Sequence, residues 1–160
     1  MGRELNAEDR WAISETLSLH GHLFDGGHLD RLGEIFTPDV VYDLSDAGIG
    51  TFEGIEAIRR GALQLGAENP VAHHVTNVVI TSVEDDLVTV ESKGLMLSGN
   101  GTVGSVRHVD TLRRHNGGWR ISRRVILAQR TRWAEPTSLT RATRELALFD
   151  GHCLRSEELP

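Results

Sequence analysis

The sequence predicts an α+β domain, and three observations carry that expectation. Three helical stripes fall within residues 6–65, four runs of period-two alternation fall within residues 72–132, and the dominant period changes between them. Turn signals of the hairpin kind separate the later runs, at Glu84-Asp85-Asp86 and Asn116-Gly117-Gly118, with a longer Gly99-Asn100-Gly101 loop between the middle pair. Helices followed by an antiparallel meander pack on one face of a curved sheet.

The elements follow in order. Asn6 with Asp9 three residues on is a helix start, and Ile13, Leu17, His20 and Phe24 then fall on one stripe spaced for burial. Gly26-Gly27 stops this helix, because glycine adopts the left-handed conformation at little cost. A second short helix fits Leu29 to Phe36, Thr37-Pro38-Asp39 breaks it, and Val40-Val41-Tyr42 reads as a strand. Gly48 to Gly54 reads as a loop, and Ile55, Ile58, Ala62 and Leu65 mark a third amphipathic helix. Four strands are expected near Ala72–Val83, Leu87–Ser98, Gly104–His115 and Trp119–Arg132. The expected division is a domain over residues 1–135 and a C-terminal extension over residues 136–160, part helical from Leu139 to Phe149.

Bulk properties narrow the function. A chain of 160 residues suits one domain with a real core. Its formal net charge of −6 argues against a nucleic-acid partner, and its arginines alternate along strands without interleaved aromatics. The one cysteine, Cys153, allows no internal disulfide. There is no leader-like segment and no apolar run of membrane-spanning length, so a soluble cytoplasmic protein without a membrane partner is expected.

Polar groups on apolar faces are the chemical signal. His20 interrupts the buried stripe of the first helix, and Asp25 closes that helix. On the first long strand His73, Val75 and Asn77 share one face and His74 the other, so one histidine alone can point inward. On the third, Val106, His108 and Asp110 share a face. A strand histidine or a turn aspartate is unremarkable singly, and Asp110 has a structural use in pairing with an arginine across the sheet. Several ionisable groups buried together are costly, which favours use. Metal binding is not expected, because His20-Gly21-His22 and His73-His74 diverge and no recognised ligand spacing is present. Nucleotide-binding and serine-nucleophile signatures are also absent, which leaves cofactor-free acid/base chemistry.

Leu23-Phe24-Asp25, the run Leu29 to Val40, Gly50-Thr51-Phe52-Glu53-Gly54, His73-His74-Val75-Thr76-Asn77 and Gly117-Gly118-Trp119-Arg120-Ile121 resemble the SnoaL-like, NTF2-like superfamily over residues 8–132. The nearest pattern is that of the scytalone dehydratase and hexachlorocyclohexane dehydrochlorinase branch. The resemblance implies an α+β cone, a curved antiparallel sheet wrapped around about three N-terminal helices with a deep apolar pocket. It also implies a pairing of Asp25 with His73, and prefers His73 to His74 as the base. Where relatives carry Tyr or Lys five residues before the Asp, this chain has His20. Tyr42 stands at an aromatic pocket position, and His108 near a position commonly Tyr or His.

The expected function is a cofactor-independent lyase or isomerase, dehydratase- or elimination-type, acting on a hydrophobic cyclic small molecule. His73 and Asp25 form the proton-abstracting pair, His20 or Tyr42 donates a proton, and His108 assists. Phe24, Val75, Asn77, Val106, Asp110 and Arg124 are the expected substrate-binding residues, Arg124 having a sheet-face ion pair as its structural alternative. Two other readings stand beside this one. A polyketide-cyclase or ketosteroid-isomerase-like enzyme would use Asp43 or Asp46 as base, and a non-catalytic ligand-binding or assembly module would need no base at all. A homo-oligomer, dimer or trimer, is expected.

Overall fold

A computed structural model describes residues 4–130. The expected boundary at residue 135, the tail helix and Cys153 lie outside the described residues.

Helix α1 (Ala7–Asp25) begins where expected: the Asn6 side chain accepts from the Asp9 N–H at 2.8 Å. It is fastened to the sheet by polar contacts as well as by Ile13 and Leu17, which are wholly buried. Asp9 accepts from Trp119 Nε1 at 3.1 Å and pairs with Arg114, and the Thr16 hydroxyl lies 3.1 Å from the Trp119 carbonyl. At its far end Gly27 takes φ +69, the left-handed stop. The expected second helix is shorter and tighter, a 3-10 turn over Leu29–Glu34, because Phe36 is drawn into the sheet.

The sheet has six strands: β1 (Phe36–Asp43), β2 (Thr51–Glu53), β3 (Ala72–Glu84), β4 (Leu87–Leu97), β5 (Val103–His115) and β6 (Gly118–Ala128). Helix α2 (Ile55–Leu65) precedes β3. The strand order is β2-β1-β6-β5-β4-β3. The β3–β6 meander is antiparallel as expected, but β1 lies parallel to β6, so the sheet is mixed. Pro38 does not end β1; it sits where the β1–β6 register shifts, between Phe36 and Val41. Asn116 and Gly117 join β5 to β6 with φ +48 and +77, the pair of positive φ values that a two-residue hairpin loop requires.

Two irregularities decide which side chains face the helices. Asn77 takes φ +52 where the β3–β4 register shifts between Thr76 and Val79. On β6, Leu112 pairs with Ile121 and Thr111 with Arg123, so Ser122 is the extra residue of a bulge. Each inserts one residue and reverses the alternation beyond it. The inward set on β3 therefore runs His73, Val75, Val78, Ile80, and on β6 it runs Trp119, Ile121, Arg124, Ile126.

The core lies between this concave face and the helices, built from Ile13, Leu17, Leu23, Phe36, Val88, Val90, Leu112 and Ile121 among others. No helix among the described residues is long and apolar enough to cross a membrane.

Candidate active site

Helix α1 and strand β3 meet at a glycine. A Cβ built on Gly21 would lie 2.3 Å from the His73 carbonyl oxygen, so any side chain there would force the two elements apart. This close approach carries the end of α1 to the start of β3.

There the Asp25 carboxylate holds His73 twice. Oδ2 accepts the His73 backbone N–H at 2.9 Å, and Oδ1 lies 2.6 Å from His73 Nδ1. A carboxylate has no proton to give, so Nδ1 carries the hydrogen and Nε2 of the neutral ring keeps a free lone pair. Both side chains are mostly covered, at 17% exposure for His73 and 26% for Asp25. His74 points away and is exposed.

The His20 ring stands edge-on to His73 at 5.7 Å between centroids and is stacked on Phe24 at 4.4 Å. Its Nε2 is 3.2 Å from the Tyr42 hydroxyl, and its Nδ1 is buried without a hydrogen-bond partner. Burial, aided by the charge of Arg124, holds the His20 imidazole well below its ordinary pKa. His108 is pushed down to about 2, again by burial and then by Arg124. Burial raises the Tyr42 phenol, with Arg124 opposing. At neutral pH both imidazoles and the phenol are uncharged.

His108 has room because β4 presents Gly94 opposite Val106. A Cβ there would lie 2.6 Å from the His108 ring and 2.7 Å from a Val106 methyl. Ser92 Oγ lies 3.3 Å from His108 Nδ1.

His20, Phe24, Tyr42, His73 and His108 line a partly open cavity of about 300 Å³. His20, Tyr42, His73 and His108 supply its polar atoms, with Phe24, Phe52, Ile58, Met96, Val106 and Ile126 among its apolar walls. An apolar cavity with a few convergent polar groups is the usual form of a small-molecule site. A second cleft, about 400 Å³, lies on the other side of the same wall. His73 lines both spaces, while Asp25 lines the outer cleft alone.

Seven of the eleven expected site residues meet here: Asp25, His73, His20, Tyr42, His108, Phe24 and Val106. Val75 instead packs against the core, and Asn77 is exposed, because the bulge turns it outward. Asp110 and Arg124 do not line the cavity. They form a wholly buried bidentate pair behind it, Nε to Oδ1 at 2.7 Å and Nη2 to Oδ2 at 2.9 Å. The alternative bases have structural partners. Asp43 accepts from the Ser45 N–H and hydroxyl, which lower its pKa, and Asp46 accepts from the Ala128 N–H. Sequence reasoning missed the walls from Leu44, Phe52, Ile58 and Met96, and missed Gly21 and Gly94. The apolar stripe of α2 pointed to Ile58; nothing local marked the two glycines. Among the described residues no group of three or more His, Cys, Asp or Glu side chains is placed to hold a metal ion.

The SnoaL-like domain family matches residues 6–125. The chain belongs to this family. No curated protein matches it significantly. Among solved structures it is similar to an NTF2-like protein with a cystatin-like fold from Novosphingobium aromaticivorans, at 26% identity over 87% of this chain and 88% of that one, with TM-score 0.63. It is also similar to a protein of unknown function with a cystatin-like fold from Nostoc punctiforme, at 23% identity, 81% and 97% coverage and TM-score 0.68. A Novosphingobium aromaticivorans protein provisionally assigned as a scytalone dehydratase matches at 20% identity, 81% and 93% coverage and TM-score 0.61. At such identities the last two likenesses speak for the fold alone. The SnoaL-like family includes dehydratases and cyclases.

Proposed function

We propose that this SnoaL-like protein is a cofactor-independent lyase or isomerase acting on a hydrophobic cyclic small molecule. The observation that carries the reading is the double hold of Asp25 on His73, which fixes the tautomer and leaves Nε2 as the proton acceptor.

In the elimination form, His73 Nε2 takes a proton from a carbon next to an electron-withdrawing group. The released C–H electron pair forms the new double bond, and the leaving hydroxyl departs as water on receiving a proton from Tyr42. Asp25 stabilises the imidazolium. Tyr42 regains its proton from water that enters once the product has left, and the neutral His20 ring stays hydrogen-bonded to the phenol oxygen through Nε2. His73 then gives the proton on Nε2 to water, which restores the Nδ1–H tautomer held by Asp25. In the isomerase form the same base returns the proton to another carbon of the ring. His108 acts as a neutral hydrogen-bonding wall group.

The test is an assay on the small molecule that co-purifies with the protein, identified by mass spectrometry, using Asp25→Asn and His73→Ala. Loss of turnover in both variants with retained ligand binding is the expected result. Full turnover in both overturns the reading, and no turnover in the wild type leaves a binding module.

The proposed assembly is a homo-oligomer. Val79, Leu95 and Val103 are exposed apolar residues on three strands of the sheet. Light scattering is expected to give a dimer or trimer mass; a monomer at micromolar concentration contradicts this.

A further inference from the structure

Arg124 is the largest fully buried side chain among the described residues, and the reaction above does not use it. Its surroundings are uneven. Across the sheet Asp110, Arg124, Tyr42 and Phe52 are register partners in one row, on β5, β6, β1 and β2. Asp110 therefore lies on one side of the guanidinium and Tyr42 on the other.

The bidentate bond uses Nε and Nη2, one edge of the guanidinium. The remaining nitrogen, Nη1, is buried and makes no hydrogen bond of good geometry, the Tyr42 side chain being the polar group near the guanidinium on that side. A buried cationic donor left unsatisfied is costly, and such groups are normally paired. His20 Nδ1 is a second buried polar atom without a partner, on a ring bonded to the Tyr42 hydroxyl. The ion pair is thus a dipole whose positive end faces Tyr42, and its charge acts on His20, His108 and Tyr42 alike. An ordinary apolar cavity disfavours anions; this floor has the positive end of a buried ion pair behind a hydroxyl and an imidazole.

We infer that the cavity floor selects an oxygen that carries negative charge, the enolate or phenolate of a planar apolar ring. In this reading Arg124 is a positioning residue that acts through Tyr42. In the isomerase form, where no hydroxyl leaves, Tyr42 and His20 contact the oxygen, Arg124 supplies the field, and Asp110 holds Arg124 in place. The inference rests on the proposed use of the cavity as a ligand site, and it assigns the part of the ligand that faces away from His73.

A naphthol tests it, because its neutral and ionised forms absorb at different wavelengths. Bound to the wild-type protein, its pKa is expected to fall below the value in water by about one unit, a ~tenfold preference for the anion. The fall is expected to persist in His73→Gln, where the base is gone, and to vanish in the charge-free pair Asp110→Asn/Arg124→Gln. Removing both charges together avoids leaving a lone buried ion. A wild-type pKa at or above that in water overturns the inference, as does an unchanged fall in the double variant. A fall that disappears in His73→Gln shows the proton passing to His73, which supports the proposed base and overturns the role of the floor. A naphthol that fails to bind the wild type overturns both. Persistence in His73→Gln together with full turnover by Asp25→Asn and His73→Ala keeps the floor and removes the base.

Discussion

Asp25 grips His73 by main chain and ring at once, 2.9 Å to the backbone nitrogen and 2.6 Å to Nδ1. One carboxylate thereby sets the start of β3 and the tautomer of its histidine. Asp25→Asn keeps the shape and an oxygen for the backbone N–H, but its amide cannot stabilise an imidazolium. Turnover is expected to drop by about 10²- to 10⁴-fold, with a much smaller change in melting temperature. Steady-state kinetics beside thermal denaturation check this; a proportionate loss of both marks Asp25 as structural.

Gly21 is a positioning residue for the same pair. Gly21→Ala places a methyl group against the His73 carbonyl, 2.3 Å away before relaxation. The expected cost is ~1–3 kcal/mol from overpacking, together with a displaced His73 and reduced turnover. Denaturant unfolding measures the first and kinetics the second. An Ala variant of wild-type stability contradicts the close approach.

Tyr42→Phe keeps the ring in the core and deletes the hydroxyl beside His20. Leaving a buried imidazole nitrogen without its partner is expected to cost about 1–3 kcal/mol. Turnover is expected to fall on the order of a hundredfold, with ligand affinity less affected. Since Tyr42 is the only tyrosine of the chain, tyrosinate absorbance reads its ionisation without overlap, and the phenol is expected to stay neutral past its usual pKa.

The buried histidines set the acid limit of stability. His20 and His108 have folded-state pKa values below the ordinary 6.5, His108 at about 2. Between those values the unfolded chain binds protons that the folded chain refuses, so stability rises with pH. Their contribution is complete above about pH 6.5 and is lost progressively as pH falls below it, at up to about 2.7 kcal/mol per pH unit for two protons. Melting temperature is expected to decline from pH 6.5 downward, above the carboxylate range, and His108→Gln is expected to weaken the slope. A flat profile from pH 7 to 5 contradicts the burial of neutral imidazoles.

Much of this was legible in the sequence because periodicity and turn chemistry are local. The stripe Ile13-Leu17-His20-Phe24 located α1, and Asn116-Gly117 located the last hairpin. Asp25 and His73 were legible as a pair through the resemblance, and their meeting required only that α1 cross the start of β3. The inward faces were less legible, because alternation counts residues and a bulge adds one. Asn77 was expected beside His73 and is turned out by its own positive φ. Strict alternation along the last strand would put Arg124 on the face opposite Trp119 and Ile121, and the extra residue Ser122 brings it to theirs. The roles of Gly21 and Gly94 were invisible, since what a missing Cβ admits depends on a segment distant in the chain.

In the proposed reaction His73, oriented by Asp25, removes a proton from carbon inside the cavity. The most direct measurement is deuterium uptake from D₂O into an enolisable bicyclic ketone, followed by NMR with wild-type protein and with His73→Gln. Uptake accelerated by the wild type, and reduced to the solvent rate by the substitution while the ketone still binds, is the expected result. Equal uptake with both proteins would contradict the claim.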